Sequence, residues 1–218
     1  MSYNQVQICN LALAKVGDDA AQITSLTDGS NEAALCSKFY EPTLRELLSM
    51  HTWNFTKSYG ELSASTTDPT FGWDYSYPLP ADCIRPLELR SYSSSREHKL
   101  LDEWQVVGRN LYTNISDAYL IYVKYVTDPN LMSPLFVRAL YTGLASKLAY
   151  VLTEDKNLVA ALENELSQVI MPEAKRINAF EGLTFPTVDS EWIQATYTNG
   201  SMWEGARGFA QENYGDLP

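Results

Sequence analysis

The chain has 218 residues, of which 45% are hydrophobic, and a net charge of −11 at pH 7, so it is long and apolar enough to bury a substantial core. A dedicated nucleic-acid-binding protein needs clustered lysine and arginine residues that release counterions from phosphates, and the lack of such clusters argues against that class. The N-terminus has no basic stretch with an apolar core, and no run of about 20 apolar residues occurs, so neither a secretory signal nor a membrane span is predicted.

Two helices are predicted in the first quarter of the chain. Ser2 and Gln5 fit a capping box, and the apolar residues that follow recur at helical spacing. Gly17 is a natural residue to end this first helix, because glycine readily adopts the left-handed conformation found there. A second helical pattern extends from about residue 31 to residue 51, and Pro42 predicts a kink or a restart inside it.

The segment from about 58 to 127 has the pattern of short strands. Serine, threonine, tyrosine and proline become frequent, and apolar residues alternate with polar ones. Gly108, Arg109 and Asn110 predict a tight hairpin turn. We therefore predict a small antiparallel sheet or a partial barrel, inserted between two helical halves. The predicted strands are 73–80, 83–91, 104–108, 110–114 and 118–126.

Two further helices are predicted after the strand-rich segment. Ser133 followed by Pro134 has the pattern of an N-cap and a first helical residue. Thr153 is the predicted cap of a fourth helix over 154–180, with a kink predicted at Pro172. Small residues on the third helix would let a neighbouring helix approach closely: Ala139, Gly143, Ala145 and Ala149. The predicted inner face of the fourth helix comprises Leu158, Ala161, Leu162, Leu166, Val169, Ile170 and Ile177.

These elements predict a mainly helical α+β fold. It is a four-helix bundle with an inserted small antiparallel β region and an extended C-terminal arm. Residues 1–57 form the first half of the bundle and residues 128–181 the second half. Residues 58–127 form the β-rich insertion, and residues 182–218 form the arm.

The C-terminal segment 182–218 is the part most suggestive of a partner. Five glycines and two prolines interrupt it too often for a long regular element. Disordered segments are poor in aromatic residues, whereas this one is rich in them, and aromatic side chains dominate interface energetics. The composition favours packing on another protein, with packing over the chain's own core as the alternative. The aromatic residues are Phe185, Trp192, Tyr197, Trp203, Phe209 and Tyr214.

Few residues are candidates for catalysis. Only His51 and His98 could serve as the base of a nucleophilic pair; His51 is predicted to be a packed or capping residue and His98 a solvated one. Cys9, Cys36 and Cys83 have neither metal-site nor redox-pair spacing, so they are interpreted as small apolar residues in a soluble protein made in a reducing cytosol.

The sequence also has no glycine-rich phosphate loop, metal-ligand cluster or nucleophile elbow. We therefore predict no catalytic residue, cofactor or metal. The alternative is a hydrolase of cell wall or polysaccharide that uses paired carboxylates, because some pair is inevitable among 27 acidic residues.

Four stretches of sequence carry a resemblance to a known family: ALAKVGDDAAQITSLTDGSNEA with LCSKFYEPTLRELLSMHTWNF, then YPLPADCIRPLEL, YVTDPNLMSPLFVRALYTGLASKLAYVLTEDKNL and SMWEGAR. In order and spacing they resemble the head-to-tail adaptor proteins of short-tailed bacteriophages, also called tail tubular protein A. The resemblance spans roughly residues 4 to 207. The strand-rich middle matches poorly in detail, and the end of the chain after Arg207 has no counterpart.

The resemblance implies a structural virion protein without enzymatic activity. In that family the protein is a helical bundle with a β-containing portion, and it assembles as a dodecameric ring between the portal and the tail nozzle. The implied location is the virion tail, with assembly in the host cytoplasm. DNA would pass through the acidic ring without specific binding, and no membrane is implied. The predicted portal-binding arm comprises Trp192, Trp203, Arg207, Phe209 and Tyr214.

Overall fold

The fold is described from a computed structural model. The chain divides into two compact units, residues 1–181 and residues 182–218. The second unit lies outside the residues that the structure describes. Those are residues 3–17, 22–66, 69, 72–91 and 103–181.

Helices and strands alternate in blocks along the first unit. The α-helices are α1 (Gln5–Val16), α2 (Asn31–Met50), α3 (Pro134–Thr153), α4 (Lys156–Asn164) and α5 (Met171–Glu181). A π-helical stretch, Glu165–Ile170, joins α4 to α5, so the three form one helical run. The strands are β1 (Lys57–Glu61), β2 (Tyr75–Pro78), β3 (Cys83–Ser91), β4 (Trp104–Val107), β5 (Asn110–Thr113) and β6 (Ala118–Lys124). Short 3-10 turns cover Asn54–Thr56 and Pro129–Leu131.

The ends of α1 follow from local side-chain chemistry. The Gln7 backbone N–H donates to Asn4 Oδ1 at 2.7 Å, and the Asn4 backbone N–H donates to Gln7 Oε1 at 2.9 Å, which completes a capping box. The box therefore lies two residues after the predicted pair Ser2 and Gln5. Gly17 ends the helix with a φ of 96°, which confirms the prediction at that end.

Two features of the second and third helices test the sequence patterns. The α2 helix passes through Pro42 without the restart that was one of the predicted outcomes. Ser133 caps α3, because its hydroxyl accepts a hydrogen bond from the Phe136 backbone N–H at 3.3 Å, and Pro134 follows it. The predicted start of α3 is confirmed.

The last helical run differs from its prediction in its cap and in its period. Asp155, rather than Thr153, caps α4, and its carboxylate accepts from the backbone N–H of Asn157 at 2.8 Å. The π-helical stretch ends two residues before Pro172. Because proline has no N–H to donate to the carbonyl four residues earlier, this is where the backbone ladder must adjust.

The strands form two three-stranded antiparallel sheets, with strand orders β1-β6-β3 and β2-β5-β4. A two-residue turn, Gly108 and Arg109, joins β4 to β5, and Val107 pairs with Asn110 across it. Of the two turn residues only Gly108 has a positive φ, 63°, which is the pattern of a type II′ turn. The predicted hairpin is confirmed.

The two parts of the unit have separate buried cores. One core fills the space between the helices and includes Leu44, Trp53, Phe136 and Leu140. The second core lies between strands. Its buried residues are Leu62, Tyr77, Cys83, Leu89, Leu111, Ala118, Leu120 and Tyr122.

The predicted four-helix bundle with a small β insertion is therefore wrong. The protein has an α+β fold in which two sheets and their own core accompany the helices. The sequence pattern missed β1 and could not assign strands to sheets, because alternation marks a strand but does not identify its partner. In the structure β6 pairs with β1 on one side and with β3 on the other.

Candidate functional site

The predicted portal-binding residues lie outside the described part of the chain. Trp192, Trp203, Arg207, Phe209 and Tyr214 all belong to the second unit, so their placement stays a prediction. The site can therefore be built only from the first unit. Three features of that unit stand out: a groove, an ion cluster beneath the π-helical stretch, and the junction between helices and sheets.

A groove lies over α3, between α2 and the π-helical stretch. It has a volume of about 400 Å³, and apolar side chains meet charged ones along it. Lys147 donates to Glu46 at its edge, and Glu163 stands on the side formed by α4. An apolar floor with a charged rim suits a protein segment, since the floor offers burial and the rim offers orientation. The apolar lining residues are Leu47, Met50 and Leu166.

Gly143 permits the close packing at the floor of this groove. A Cβ atom placed there would lie 3.4 Å from Thr43 Cγ2 and 3.5 Å from Leu166 Cδ2. The small residue therefore lets α2 and the π-helical stretch approach α3 from two sides, as the sequence predicted for this helix. The predicted close approach is confirmed at Gly143.

The groove is lined by two glutamates, which can be compared with the paired carboxylates that the hydrolase alternative requires. Glu46 and Glu163 line it together, but the Glu46 side chain is 50% exposed and pairs with Lys147, and Glu163 is exposed as well. A general acid at neutral pH needs a raised pKa, which burial in an apolar pocket supplies. This pair lacks that environment. The hydrolase alternative stays a prediction that draws no support from this groove.

An ion cluster fixes the π-helical stretch against α1 and α3. Glu165 accepts a hydrogen bond from Lys15 Nζ at 2.8 Å and one from Arg138 at 3.3 Å. Lys15 also donates to Thr142 Oγ1 at 2.9 Å and lies 5.5 Å from the centre of the Tyr141 ring. The hydrogen bond from Lys15 holds the pKa of the Glu165 carboxyl below its ordinary value, and Arg138 adds to the effect. The cluster thus holds the helical run where its period changes.

The π-helical stretch alters which residues of the last run are buried. Before it, Leu162 of the predicted inner face is buried and Leu158 is half-buried, whereas Ala161, predicted on the same face, is exposed. Ile170, the last residue of the stretch, is buried as predicted. After it, the buried positions are Met171, Ala174 and Asn178, one residue later than the α-helical period predicts. A π turn adds one residue to the helix and rotates everything that follows, so this shift has a direct cause.

This rotation turns predicted core residues outward. Val169 and Ile177 were placed on the inner face, and they are 53% and 36% exposed. Phe180, about one turn beyond Ile177 along α5, is 60% exposed. We call Val169, Ile177 and Phe180 the outer stripe. Ile177 also borders a second groove of about 270 Å³ beside the start of α3. Packing these side chains against a partner would remove their apolar surface from water.

A second exposed apolar pair lies near the other end of α3. Tyr150 and Val151 are 55% and 49% exposed there. Since Pro134 and Leu135 border the groove beside Ile177, most of the helix separates the pair from Ile177 of the outer stripe. At 1.5 Å per residue, the 16 residues from Pro134 to Tyr150 span about 24 Å.

The junction between helices and sheets is held by one buried side chain of α5. Asn178 Oδ1 accepts from the Asn54 backbone N–H at 2.8 Å, and Asn178 Nδ2 donates to the Thr52 carbonyl at 3.2 Å. Asn54 Nδ2 donates to the Asn178 carbonyl at 2.6 Å. Arg85 of β3 donates to Thr52 Oγ1 at 2.8 Å. No periodic pattern could have singled out Asn178, because its partners lie 124 and 126 residues away.

His51 sits within this junction, as a packed residue. It forms the C-terminal cap position of α2, and its ring lies edge-on to Trp53 with 5.0 Å between centroids. Trp53 is fully buried, and its Nε1 donates to the Leu47 carbonyl at 3.0 Å. The prediction of a packed or capping His51 is confirmed. The predicted solvated residue, His98, lies outside the described residues.

The described part of the chain offers no group of three or more histidine, cysteine, aspartate or glutamate residues placed to hold a metal ion. Cys9, Cys36 and Cys83 are buried and free, in keeping with their interpretation as small apolar residues. Burial raises the pKa of the Cys83 thiol, which favours its neutral form.

One described helix, α3, is long and apolar enough to cross a membrane by length and composition alone, with a mean hydropathy of 1.3. Within that stretch, 61% is buried inside the protein. It packs against α1, α2 and α4. Core helices of soluble proteins pass the same test, so this helix is weak evidence for a membrane span.

Comparison of the chain with protein-family models finds no family that matches, and comparison with curated proteins finds no significant match.

Proposed function

We propose that the protein is a structural component of a bacteriophage virion, a head-to-tail adaptor that joins the portal to the tail nozzle as a homo-oligomeric ring, with twelve copies as in the family it resembles. The observation that carries the proposal is the order and spacing of the four resembling stretches over residues 4 to 207. In this proposal the protein is not an enzyme. It lines part of the channel through which DNA leaves the capsid.

The exposed apolar residues of the first unit support a ring. A ring needs two different patches on each subunit, because a heterologous interface joins one face of a copy to another face of the next. The outer stripe and the pair Tyr150 and Val151 are two such patches, near opposite ends of α3. In our proposal the outer stripe packs against a second copy of the chain. Both patches would then be buried in the assembled ring.

The charge of the chain supports a passage for DNA. A net charge of −11 leaves little tendency to retain a polyanion, since retention depends on the release of counterions by lysine and arginine. DNA would then slide through the ring instead of binding to it. Weak DNA retention is a necessary property of an ejection channel.

Portal binding by the C-terminal segment is the direct test. We expect a chain ending at Glu181 to stay folded, because residues 1–181 form a compact unit, and to lose binding to purified portal rings. We expect Trp192→Ala and Trp203→Ala each to weaken binding by about 2 kcal/mol or more, roughly 30-fold in Kd, if they are buried anchors. Binding is measured by surface plasmon resonance or co-sedimentation.

The matched control is an exposed aromatic residue elsewhere. Tyr59 on β1 is 74% exposed, so Tyr59→Ala removes a comparable aromatic surface that the proposal does not use. Portal affinity should be unchanged in this variant. Unchanged portal affinity in the shortened chain would refute the arm, and failure of the full-length protein to bind portal would refute the adaptor function.

A further inference from the structure

The Asn178 side chain has an amide orientation that its backbone partners determine. The Asn54 backbone N–H can only donate, so the Asn178 atom 2.8 Å from it must be the oxygen. The Thr52 carbonyl can only accept, so the atom 3.2 Å from it must be the nitrogen. The two contacts agree, and the amide has one orientation compatible with both.

This orientation fixes the protonation state of His51. Asn178 Nδ2 lies 3.2 Å from His51 Nε2, and an amide NH₂ group has only hydrogens to offer. His51 Nε2 must therefore accept, which requires a neutral ring with its proton on Nδ1. Protonation of Nε2 would set two donors against each other and break this hydrogen bond.

The charged groups around His51 oppose protonation as well. They are Lys175 of α5, Arg85 of β3 and Lys57 of β1. All three are cations. Burial, followed by these three charges, lowers the pKa of the His51 imidazole below its ordinary value.

We propose that His51 and Asn178 form a pH-sensitive latch between α5 and the end of α2: the hydrogen bond from Asn178 Nδ2 to His51 Nε2 is present when His51 is neutral and lost when it is protonated, which weakens the contact of α5 with the segment 51–54. The latch lies where the helices meet the first sheet, since Asn54 begins the turn into β1 and Arg85 of β3 binds Thr52. This property is independent of the proposed adaptor function.

The pH window follows from the sign of the shift. A histidine whose pKa is lower in the folded protein contributes stability that is complete above the unfolded value of about 6.5. That contribution falls as the pH drops from about 6.5 through the folded pKa, because the unfolded chain takes up the proton first. The latch is therefore closed at neutral pH and weakens under mild acid.

The first experiment is an NMR titration of the histidine rings in the full-length protein. The chain has two histidines, so His98→Gln isolates the signal of His51 and His51→Gln isolates that of His98. We expect His51 to carry its proton on Nδ1 at neutral pH and to titrate below about 6.5. A proton on Nε2, or a pKa at or above that value, would overturn the latch.

A second variant tests whether Asn178 is the partner. Asn178→Asp places a carboxylate beside His51 and should reverse the effect, raising the His51 pKa above that of the wild type. If this variant does not fold, amide hydrogen exchange in the wild type replaces it. Exchange at Asn54 should then speed up between pH 7 and pH 5.5 relative to the same amide in His51→Gln, after correction for the intrinsic rate. An equal change in both proteins would contradict the proposal.

Discussion

At the scale of single residues, the structure depends on a few polar contacts between distant parts of the chain. Lys15 and Glu165 are 150 residues apart and lie 2.8 Å from each other, with side chains that are 22% and 32% exposed. Partial burial strengthens such a pair, because the surrounding medium screens it less than water does. A second donor, Arg138, satisfies the same carboxylate oxygen.

We predict that Glu165→Gln lowers the free energy of unfolding by about 1–2 kcal/mol at pH 7. The pKa of Glu165 is lowered in the folded protein, so its stabilisation is complete above the unfolded value of about 4.3 and falls as the pH drops through the folded value. The difference between the variant and the wild type should therefore vanish in acid. Urea unfolding between pH 7 and pH 3 measures it.

The control for this prediction is the neighbouring carboxylate Glu163, which is exposed. Glu163→Gln should change stability by less than about 0.5 kcal/mol at every pH. A loss as large as that of Glu165→Gln would contradict the assignment of the effect to the ion cluster.

Residues that act locally could be predicted from the sequence, and residues that act at long range could not. Ser133 and Gly17 define helix ends through neighbours a few positions away, so their residue types are sufficient signals. Glu165 depends on Lys15, 150 residues away, and on Arg138, 27 residues away, and Asn178 depends on Asn54, 124 residues away. Nothing in their own neighbouring sequence distinguishes them from solvated residues.

At the scale of elements, Gly143 lies where three helical segments meet. The nearest atoms to a Cβ at this position, from Thr43 and Leu166, lie at ordinary van der Waals distances. One methyl group therefore fits, whereas a larger side chain must displace its neighbours. Substitutions at this position therefore distinguish the effect of added side-chain volume from the effect of the low helix propensity of glycine.

We predict opposite effects for two substitutions here. Gly143→Ala should leave stability unchanged or raise it by up to about 1 kcal/mol, because alanine favours a helix more than glycine does. Gly143→Leu should lower stability by about 1–3 kcal/mol through overpacking. Urea midpoints measure both changes. Ala161→Leu, at an exposed position of α4, is the control and should be nearly neutral; a loss there would contradict the packing explanation.

The π-helical stretch shows that a helix can be predicted correctly while its buried residues are predicted incorrectly. Pro172 predicted a disturbance in the last helix, and the disturbance is present just before it. The sequence could not indicate which form the disturbance takes. Proline removes one backbone N–H from the helix, and either a kink or an extra residue in one turn can accommodate that loss. The second response put Val169 and Ile177 outside, which no uniform period could indicate.

At the scale of the whole molecule, the number of sheets was the feature that strand patterns could not predict. The hairpin of β4 and β5 was evident, since its turn lies between adjacent strands. The partners of β6 in its sheet are β1 and β3. These two strands lie far apart along the chain, and β2, which belongs to the other sheet, comes between them in sequence. Long-range pairing of this kind depends on the packed core between the sheets, where Tyr77 Oη donates to the carbonyls of Ile115 and Ser116.

The outer stripe leads to a prediction about assembly. An exposed phenylalanine contributes little to the folded subunit, so Phe180→Glu should change its stability by less than about 0.5 kcal/mol. If the stripe packs against a second copy, the same change buries a charge without a partner in the interface and should prevent ring formation. Native mass spectrometry of the protein, alone and mixed with portal rings, measures how many copies assemble.

The control is Val107→Glu, which replaces an apolar residue of β4 that is 55% exposed and should leave the number of assembled copies as in the wild type. A Phe180→Glu protein that assembles to the same number of copies would exclude the outer stripe from the subunit interface, whereas monomers that still bind portal would separate ring formation from portal binding.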